Sequence, residues 1–368
     1  MSDEKTSPVA LGKPVLRMVR REDLPQLTSL VSRIHGLTHS EEHLRWKYFE
    51  NPAGAPVSSV AEVDGRIIGH LGAMTANYRI DGRPIRGSQE VDIFVDEEYR
   101  GARTFFRLFR ERLNISKRED VNFSYGFTIE KTSTIGRKAM GLTRIGPIPR
   151  LACPVDTREW FRRRVRIGPL ASAASAAANT FLTLSRPKGP PLPEGLQLIP
   201  IERFDDRFDA FCEKTQDDYT VMLVKNADYL NWRYIDIPEV EYEILAAERG
   251  PDGPIEGFCV IGTEYGNERR GRLVDLVTPR QDSTALTTSL IAAALARLQE
   301  RKVHAVAAWS FPHMHTYEPL RSLGFRWRTV EGQDLVCRHT GPSDPDEILP
   351  LISPQENWCV AQGDSDFY

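Results

Sequence analysis

The sequence has little bias of charge: 48 Lys and Arg stand against 51 Asp and Glu in 368 residues, a net charge of -3. No global field therefore holds the protein on nucleic acid or an anionic membrane, and any anion it binds must be held locally. Cysteine is scarce. The five present, Cys153, Cys212, Cys259, Cys337 and Cys359, are odd in number and widely spaced, with no CxxC pair. That excludes a disulfide framework and the common zinc and redox motifs, and it suggests a reducing, cytoplasmic setting. The opening residues, MSDEKTSPVALGKP, lack the apolar run of a signal peptide, so export is not expected. What is present is ordinary: 40% hydrophobic and 27% charged residues describe a soluble globular chain. At roughly 150 residues per domain its length suggests two domains.

Long uncharged runs are absent except for one, from Ile167 to Ser185, flanked by Arg162, Arg163, Arg164 and Arg166 before it and Arg186 and Lys188 after it. It is mostly Ala and Ser, with Asn179 and Thr180 inside and Gly168-Pro169 near its start, so its transfer into lipid is poor compared with a Leu-rich span. A transmembrane helix, a surface-lying basic helix and a connector helix packed between domains are the alternatives. The connector, with no stable membrane insertion, is the expected one. Pro187, Gly189, Pro190, Pro191 and Pro193 then give a linker composition.

The two halves repeat. HLRWKYFENP (residues 43 to 52) reads against YLNWRYIDIP (residues 229 to 238), pairing Leu44 with Leu230, Trp46 with Trp232, Lys47 with Arg233, Tyr48 with Tyr234 and Pro52 with Pro238 at one offset of 186. The turn Asp64-Gly65 before Ile67 and Gly69 corresponds to Asp252-Gly253 before Ile255 and Gly257. Val91-Asp92 matches Val274-Asp275, and Gly141-Leu142 matches Gly324-Phe325. Clusters in collinear order indicate two copies of one domain.

Each copy gives the order α, α, β, β, β, α, β, α, a mixed α/β sheet flanked by helices. In the first copy a helix begins near Arg21-Glu22-Asp23, with Leu24, Leu27, Leu30, Val31 and Ile34 at helical spacing. A second, capped by Ser40, carries Leu44 and Trp46. Strands VSSVAEV and RIIGHLGAMTANYRI meet at Asp64-Gly65. A strand around EVDIFV, a helix TFFRLFRERLNISKR, a strand VNFSYGF and a helix ending at Gly141 follow. In the second copy the matching elements are RLVDLVT, TALTTSLIAAALARLQERK, VHAVAAWS and a helix running into LRSLGF.

A strand ending in VDIFV, a DEEYRG turn, a helix, a strand and a helix closing on a Gly-hydrophobic pair resemble the GCN5-related N-acetyltransferase (GNAT) superfamily. The matching core runs from about Arg17 to Gly146, and a more divergent copy from about Leu196 to Arg328. The resemblance implies tandem GNAT-like acyl-CoA N-acyltransferase domains of bacterial type. Residues 1–155 would form the N-terminal domain, 156–194 an Ala-rich helix and Pro-rich connector, 195–342 the C-terminal domain and 343–368 a tail. WKYFENPAG and the tail's Gly363-Asp364-Ser365-Asp366 are similar to tandem members associated with bacterial cell-surface polysaccharide gene sets.

In that family the cofactor pyrophosphate sits on backbone N–H groups at a helix N-terminus, where orphan donors and the helix dipole favour an anion. Here the resemblance assigns Ile93, Phe94, Val95, Arg100, Gly101, Ala102 and Arg103 to acetyl-CoA or another acyl-CoA. Arg103 and Phe105 stand at the usual small-residue positions, so Arg103 either pairs with a phosphate or blocks the loop. Arg100, Arg103, Arg107 and Arg110 are close enough in sequence to build an anion pocket. The corresponding turn of the second copy, TPRQDSTA, has no glycine.

Acyl transfer to an amine needs a proton acceptor, donors for the oxyanion and a proton for the leaving thiolate. Glu90 and Asp92 alternate with Val91 and Ile93, so strand geometry puts them on one face, and apolar neighbours would raise their pKa. Hydrogen bonding of Asp92 to loop backbone is the plainer role. The helix KTSTIGRKAMG has no tyrosine, which leaves Tyr125 as a substitute acid or as a core residue. His313, His315 and Tyr317 of FPHMHTYEP are candidate acceptor-binding groups. No metal is expected, because neither these histidines nor His35, His39 and His43 have the ligand spacing zinc prefers. Trp46, Tyr48, Trp232 and Tyr234 suggest core or cleft packing rather than base stacking, so no nucleic-acid partner is expected.

The sequence thus points to acetyl transfer to a primary amine of a small molecule, an amino sugar first and an amino acid or peptide second. The rivals are a catalytically silent tandem scaffold and a peripheral membrane protein anchored by residues 162 to 185.

Overall fold

In a computed structural model, residues 12–36, 39–129, 140–165, 168–185, 188–264, 267–327 and 333–366 are described. The helix expected to end at Gly141 falls on residues 130–139, outside them. Two compact units form, and they do not follow chain order. The first holds residues 1–75, 86–124 and 340–343, the second residues 76–85, 125–339 and 344–368.

In the first unit β1 (Val15–Met18) pairs antiparallel with β2 (Ser59–Val63), which pairs antiparallel with β3 (Arg66–Ile80) through the Asp64-Gly65 turn. Helix α1 (Leu24–His35) buries Leu24, Leu27, Leu30 and Val31 and ends at Gly36, whose φ of 65° lets its N–H reach Ser32 O. The side chain of Ser40 accepts from His43 N–H and starts α2 (Glu41–Phe49), which buries Leu44, Trp46, Lys47 and Tyr48. Strand β4 (Arg83–Val95) leads through a short turn at Glu97–Tyr99 into α3 (Ala102–Arg118). Leu108 and Ile115 of α3 cover Ala61, Leu71 and Ala73. Strand β5 (Phe123–Ile129) starts in this unit.

The second unit contains a seven-stranded sheet in the order β14-β7-β13-β12-β11-β10-β8. Its strands are β7 (Arg150–Pro154), β8 (Leu196–Ile201), β10 (Glu243–Arg249), β11 (Ile255–Glu264), β12 (Asn267–Val277), β13 (Ala305–Trp309) and β14 (Arg326–Trp327). Strand β12 pairs parallel with β13, so the intervening helix, α7 (Thr284–Glu300), is a crossover whose Leu290, Ile291, Ala294 and Leu298 enter the core. The unit also holds β6 (Thr143–Pro147), β9 (Val221–Leu223) and β15 (Gln333–His339), which lies between β5 and β6. Its remaining helices include α4 (Arg158–Arg164), α5 (Gly168–Ser185), α6 (Asp206–Thr215), α8 (Tyr317–Ser322) and α9 (Pro345–Ile352).

The uncharged run from Ile167 is α5, on which Leu170 and Phe181 are exposed. No described helix is long and apolar enough to cross a membrane. The last residues pack into the second unit: Trp358 is fully buried, and its indole N–H donates to Ile352 O at 2.7 Å.

Candidate active site

Asp92 is the best-defined charged group of the first unit. Its φ of 49° is unusual for a strand residue without a glycine's freedom. The Lys47 ammonium lies 2.9 Å from one carboxylate oxygen, and the Tyr48 hydroxyl donates to the same oxygen at 2.5 Å. Both partners come from α2, where Lys47 is buried to its tip. Gly72 permits this approach: a Cβ there would meet the Tyr48 hydroxyl at 2.5 Å and Val91 O at 2.7 Å. Burial alone would raise the Asp92 carboxyl, but Lys47 and Tyr48 hold it well below the usual carboxylate range. This corrects the expected raised pKa: Asp92 is ionised and weakly basic.

Glu90 faces elsewhere. It lies 3.1 Å from the guanidinium of the fully buried Arg112 on α3 and accepts from Ser124 Oγ at 2.9 Å. A Cβ on Gly69 would contact Leu108 of α3, whereas Gly72, three residues on, looks at Tyr48. Hence α3 and α2 contact opposite faces of β3. The expected shared face of Glu90 and Asp92 is not formed, because the positive φ at Asp92 breaks the alternation.

His70 completes the cluster and was missed by sequence reasoning. It is 1% exposed, and its Nδ1 lies 3.0 Å from Asp92 O, so that nitrogen carries the proton. Nε2 is enclosed with no partner among the described residues. Burial lowers its pKa to about 4 against an ordinary 6.5. The unfolded chain therefore takes up this proton first as pH falls below 6.5, and stability drops between there and pH 4. For His70 the loss is at most about 3 kcal/mol. His70→Gln, which keeps a donor for Asp92 O, should flatten urea midpoints across this window, and an unchanged slope would refute the assignment.

The DEEYRG turn is held from behind. The Asp96 carboxylate receives Arg33 at 3.1 Å and Arg66 at 2.5 Å and also accepts from Glu98 N–H. Gly101 then caps α3 with no side-chain cap, and no acidic residue stands in the first turn. A Cβ at Gly101 would meet nothing within 4 Å. The orphan N–H groups of a 17-residue helix thus face open space, with Arg100, Ala102 and Arg103 exposed beside them. Of the expected arginine cluster, Arg107 turns away to donate to Pro14 O at 2.9 Å. On β4, Ile93 is exposed, Phe94 is buried and Val95 packs against the α3 core.

The second unit echoes the first. Tyr234 donates to Asp275 at 2.8 Å, as Tyr48 does to Asp92, and β12 is bulged beside Asp275. The cation differs. Lys225, not Arg233, sits 2.7 Å from Asp275 and 2.8 Å from Asp364. Both carboxylates drive its pKa up against the cost of burial. Arg233 instead donates to Gly363 O and Ser365 O at 3.0 and 2.9 Å. Sequence reasoning paired Lys47 with Arg233 and so overlooked Lys225.

The other predicted site residues are spent on structure. Tyr125 is buried, donates to Asp364 O at 3.3 Å and packs on the rings of Tyr78 and Trp358. Burial raises its pKa well above 10. It is a core tyrosine, not an available acid. His315 uses both nitrogens, on Thr278 Oγ1 and the Tyr219 hydroxyl, each at 2.9 Å. Burial, with Arg280 nearby, lowers its pKa to about 4. His313 donates to Trp358 O at 2.9 Å, and Tyr317 packs on the second core. The expected acceptor-binding role of these three is therefore corrected to internal packing.

Comparison with known proteins fits the turn and the strand before it. Residues 15–138 match the family model described as an acetyltransferase (GNAT) domain. The chain carries a GNAT domain. Three solved structures extend the likeness beyond that domain. A probable N-acyltransferase from Enterococcus faecalis matches at TM-score 0.60 and 10% identity, over 89% of this chain and 73% of its own. Saccharomyces cerevisiae N-myristoyltransferase with bound myristoyl-CoA matches at 0.59 and 13%, over 97% and 85%. A tandem GNAT protein from the clavulanic acid biosynthesis pathway matches at 0.54 and 16%, over 90% and 100%. At these identities the likeness is one of fold, and that fold is a tandem GNAT architecture. No curated protein matches the sequence.

Proposed function

We propose that the protein is a cytoplasmic, acyl-CoA-dependent N-acyltransferase, in which the N-terminal copy (residues 1–155) binds acyl-CoA and the C-terminal copy (195–342) completes the fold. The observation that carries this reading is the open, glycine-capped N-terminus of α3 inside the GNAT domain. It fits a diphosphate: N–H donors are unclaimed by any cap, no acidic residue stands in the first turn, and Arg100 and Arg103 are exposed to pair with phosphate.

The transferred group in this reading is acetyl and the acceptor a primary amine of a small molecule, an amino sugar first and an amino acid or peptide second. The amine nitrogen bonds to the thioester carbon, the carbon–sulfur bond breaks, and the thiolate leaves with a proton. Asp92 is committed to Lys47 and Tyr48, and Glu90 to Arg112, so the amine's proton passes to water. The rate should then follow the amine's own ionisation, with no enzyme carboxylate titrating between about pH 5 and 8.

The test is calorimetry with acetyl-CoA, followed by thiol release with a panel of amines. Saturable binding and amine-dependent release are expected. A second reading, a silent tandem scaffold, is favoured by the internal engagement of Asp92, Glu90 and Tyr125. Absence of acetyl-CoA binding at millimolar ligand would decide for it.

A further inference from the structure

Away from the GNAT turn, the second unit contains a cavity of about 950 Å³ whose lining is strongly cationic. Arg158, Arg162, Arg269, Arg301 and Lys302 line it, and Asp156 is its single carboxylate. In a chain whose net charge is -3, that is a concentrated local positive field. The carboxylate is already committed: it lies 2.5 Å from Arg158 and accepts from Asn179 at 2.9 Å. Arg301 is shared with Glu243 at 2.6 Å. No second carboxylate on the lining balances the other cations.

The fold builds this site. Thr157 sends its backbone N–H and its hydroxyl to Asn179 Oδ1, each at 2.8 Å, pinning the start of α4 to the middle of α5. Ser172, Ser175 and Asn179 then recur at helical spacing on the cavity side of α5, while exposed Leu170 and Phe181, eleven residues apart, lie on the opposite face. Gly168 places the N-terminus of this 18-residue helix on the lining, with no acidic residue in its first turn. Lys302 holds a φ of 59°, a left-handed conformation that costs a non-glycine residue about 1 kcal/mol. A glycine would relax that turn, and the lysine supplies a cation at the rim. Both nitrogens of His304 are enclosed without a partner among the described residues.

The cavity lies at the start of β12 and β13 and the end of α7, the sheet end opposite the β12–α7 turn that matches the DEEYRG turn in the repeat. It is not a second copy of the acyl-CoA turn. We propose that this cavity binds a small molecule through a phosphate or diphosphate group. Several converging cations favour a multiply charged group over a lone carboxylate, and guanidinium forks match phosphate oxygens two at a time.

Inorganic pyrophosphate, titrated calorimetrically into the full chain at low salt, should bind saturably at one site and weaken as salt rises. Arg269→Glu/Lys302→Glu should weaken binding by about 100-fold, whereas Arg203→Ala, which alters an exposed ion pair with Asp236, should not. Lys302→Gln, a single change at an exposed side chain, serves if the double variant fails to fold. Gly101→Glu should leave this binding intact, which separates the cavity from the acyl-CoA turn. Co-sedimentation with phosphatidic acid vesicles distinguishes the sources. Variant-sensitive vesicle binding identifies a lipid headgroup, and pyrophosphate binding without it identifies a soluble phosphate compound. Absence of both, or binding that the cavity variants do not weaken, would overturn the proposal.

Discussion

Lys225→Met should cost the second unit about 3–5 kcal/mol, the penalty for leaving buried charge uncompensated, and enough to populate its unfolded form. One ammonium, 9% exposed, serves two carboxylates, Asp275 at 0% and Asp364 at 4% exposure. Methionine fills similar volume, so a cavity contributes little, and the loss reports electrostatics. Burial, then Asp275, already push the Asp364 carboxyl up against the pull of Lys225, and without the lysine one carboxylate must take a proton. Urea unfolding followed by tryptophan fluorescence reads this, since Trp232 and Trp358 are buried in the same unit. Lys225→Met/Asp364→Asn should recover part of the loss by removing one charge. Lys47→Met should cost less, because Asp92 is 20% exposed and keeps the Tyr48 hydroxyl. A loss under about 1 kcal/mol for Lys225→Met would show that water or rearrangement compensates the carboxylates.

The contrast between Lys225 and Lys47 marks how far the sequence could be read. The repeat was legible because its signals are local: the Ser40 cap, the Asp64-Gly65 turn and the spacing of Trp46 and Tyr48 all reappear as structure. The register match even carried a long-range bond, since Tyr48–Asp92 and Tyr234–Asp275 are the same hydrogen bond in two copies. The polarity of the candidate site was not legible. Asp92 follows strand alternation only if its backbone is regular, and its φ of 49° turns it toward α2. Its ionisation depends on partners 44 positions away. Gly363-Asp364-Ser365-Asp366 has the composition of a solvated tail, yet Arg233 reaches Ser365 O across 132 positions. The histidines of FPHMHTYEP look available in sequence, and only the fold brings Tyr219, Thr278 and Trp358 to them.

The GNAT turn was legible because a helix N-terminus is local, and there the second large effect is expected. Gly101→Glu should reduce acetyl-CoA affinity by about 100-fold or more, since a carboxylate at the helix cap repels the diphosphate and competes for the same N–H groups. The fold should be unaffected. A Cβ at Gly101 meets nothing within 4 Å, and its φ of 163° is extended backbone open to any residue. Glutamate near a helix N-terminus, if anything, stabilises the helix, so lost binding with an unchanged or raised urea midpoint is the diagnostic pair. Asp92→Asn should behave in the opposite way. An amide cannot neutralise the buried Lys47, so stability and turnover should fall together while the cap, and with it cofactor affinity, stays intact. Arg103→Gly decides between the two readings of the departed glycine position. Weaker binding means that Arg103 grips a phosphate, whereas tighter binding means that it obstructs one. If Gly101→Glu leaves affinity unchanged, the diphosphate is held elsewhere, and the open cap of α3 is only a helix end.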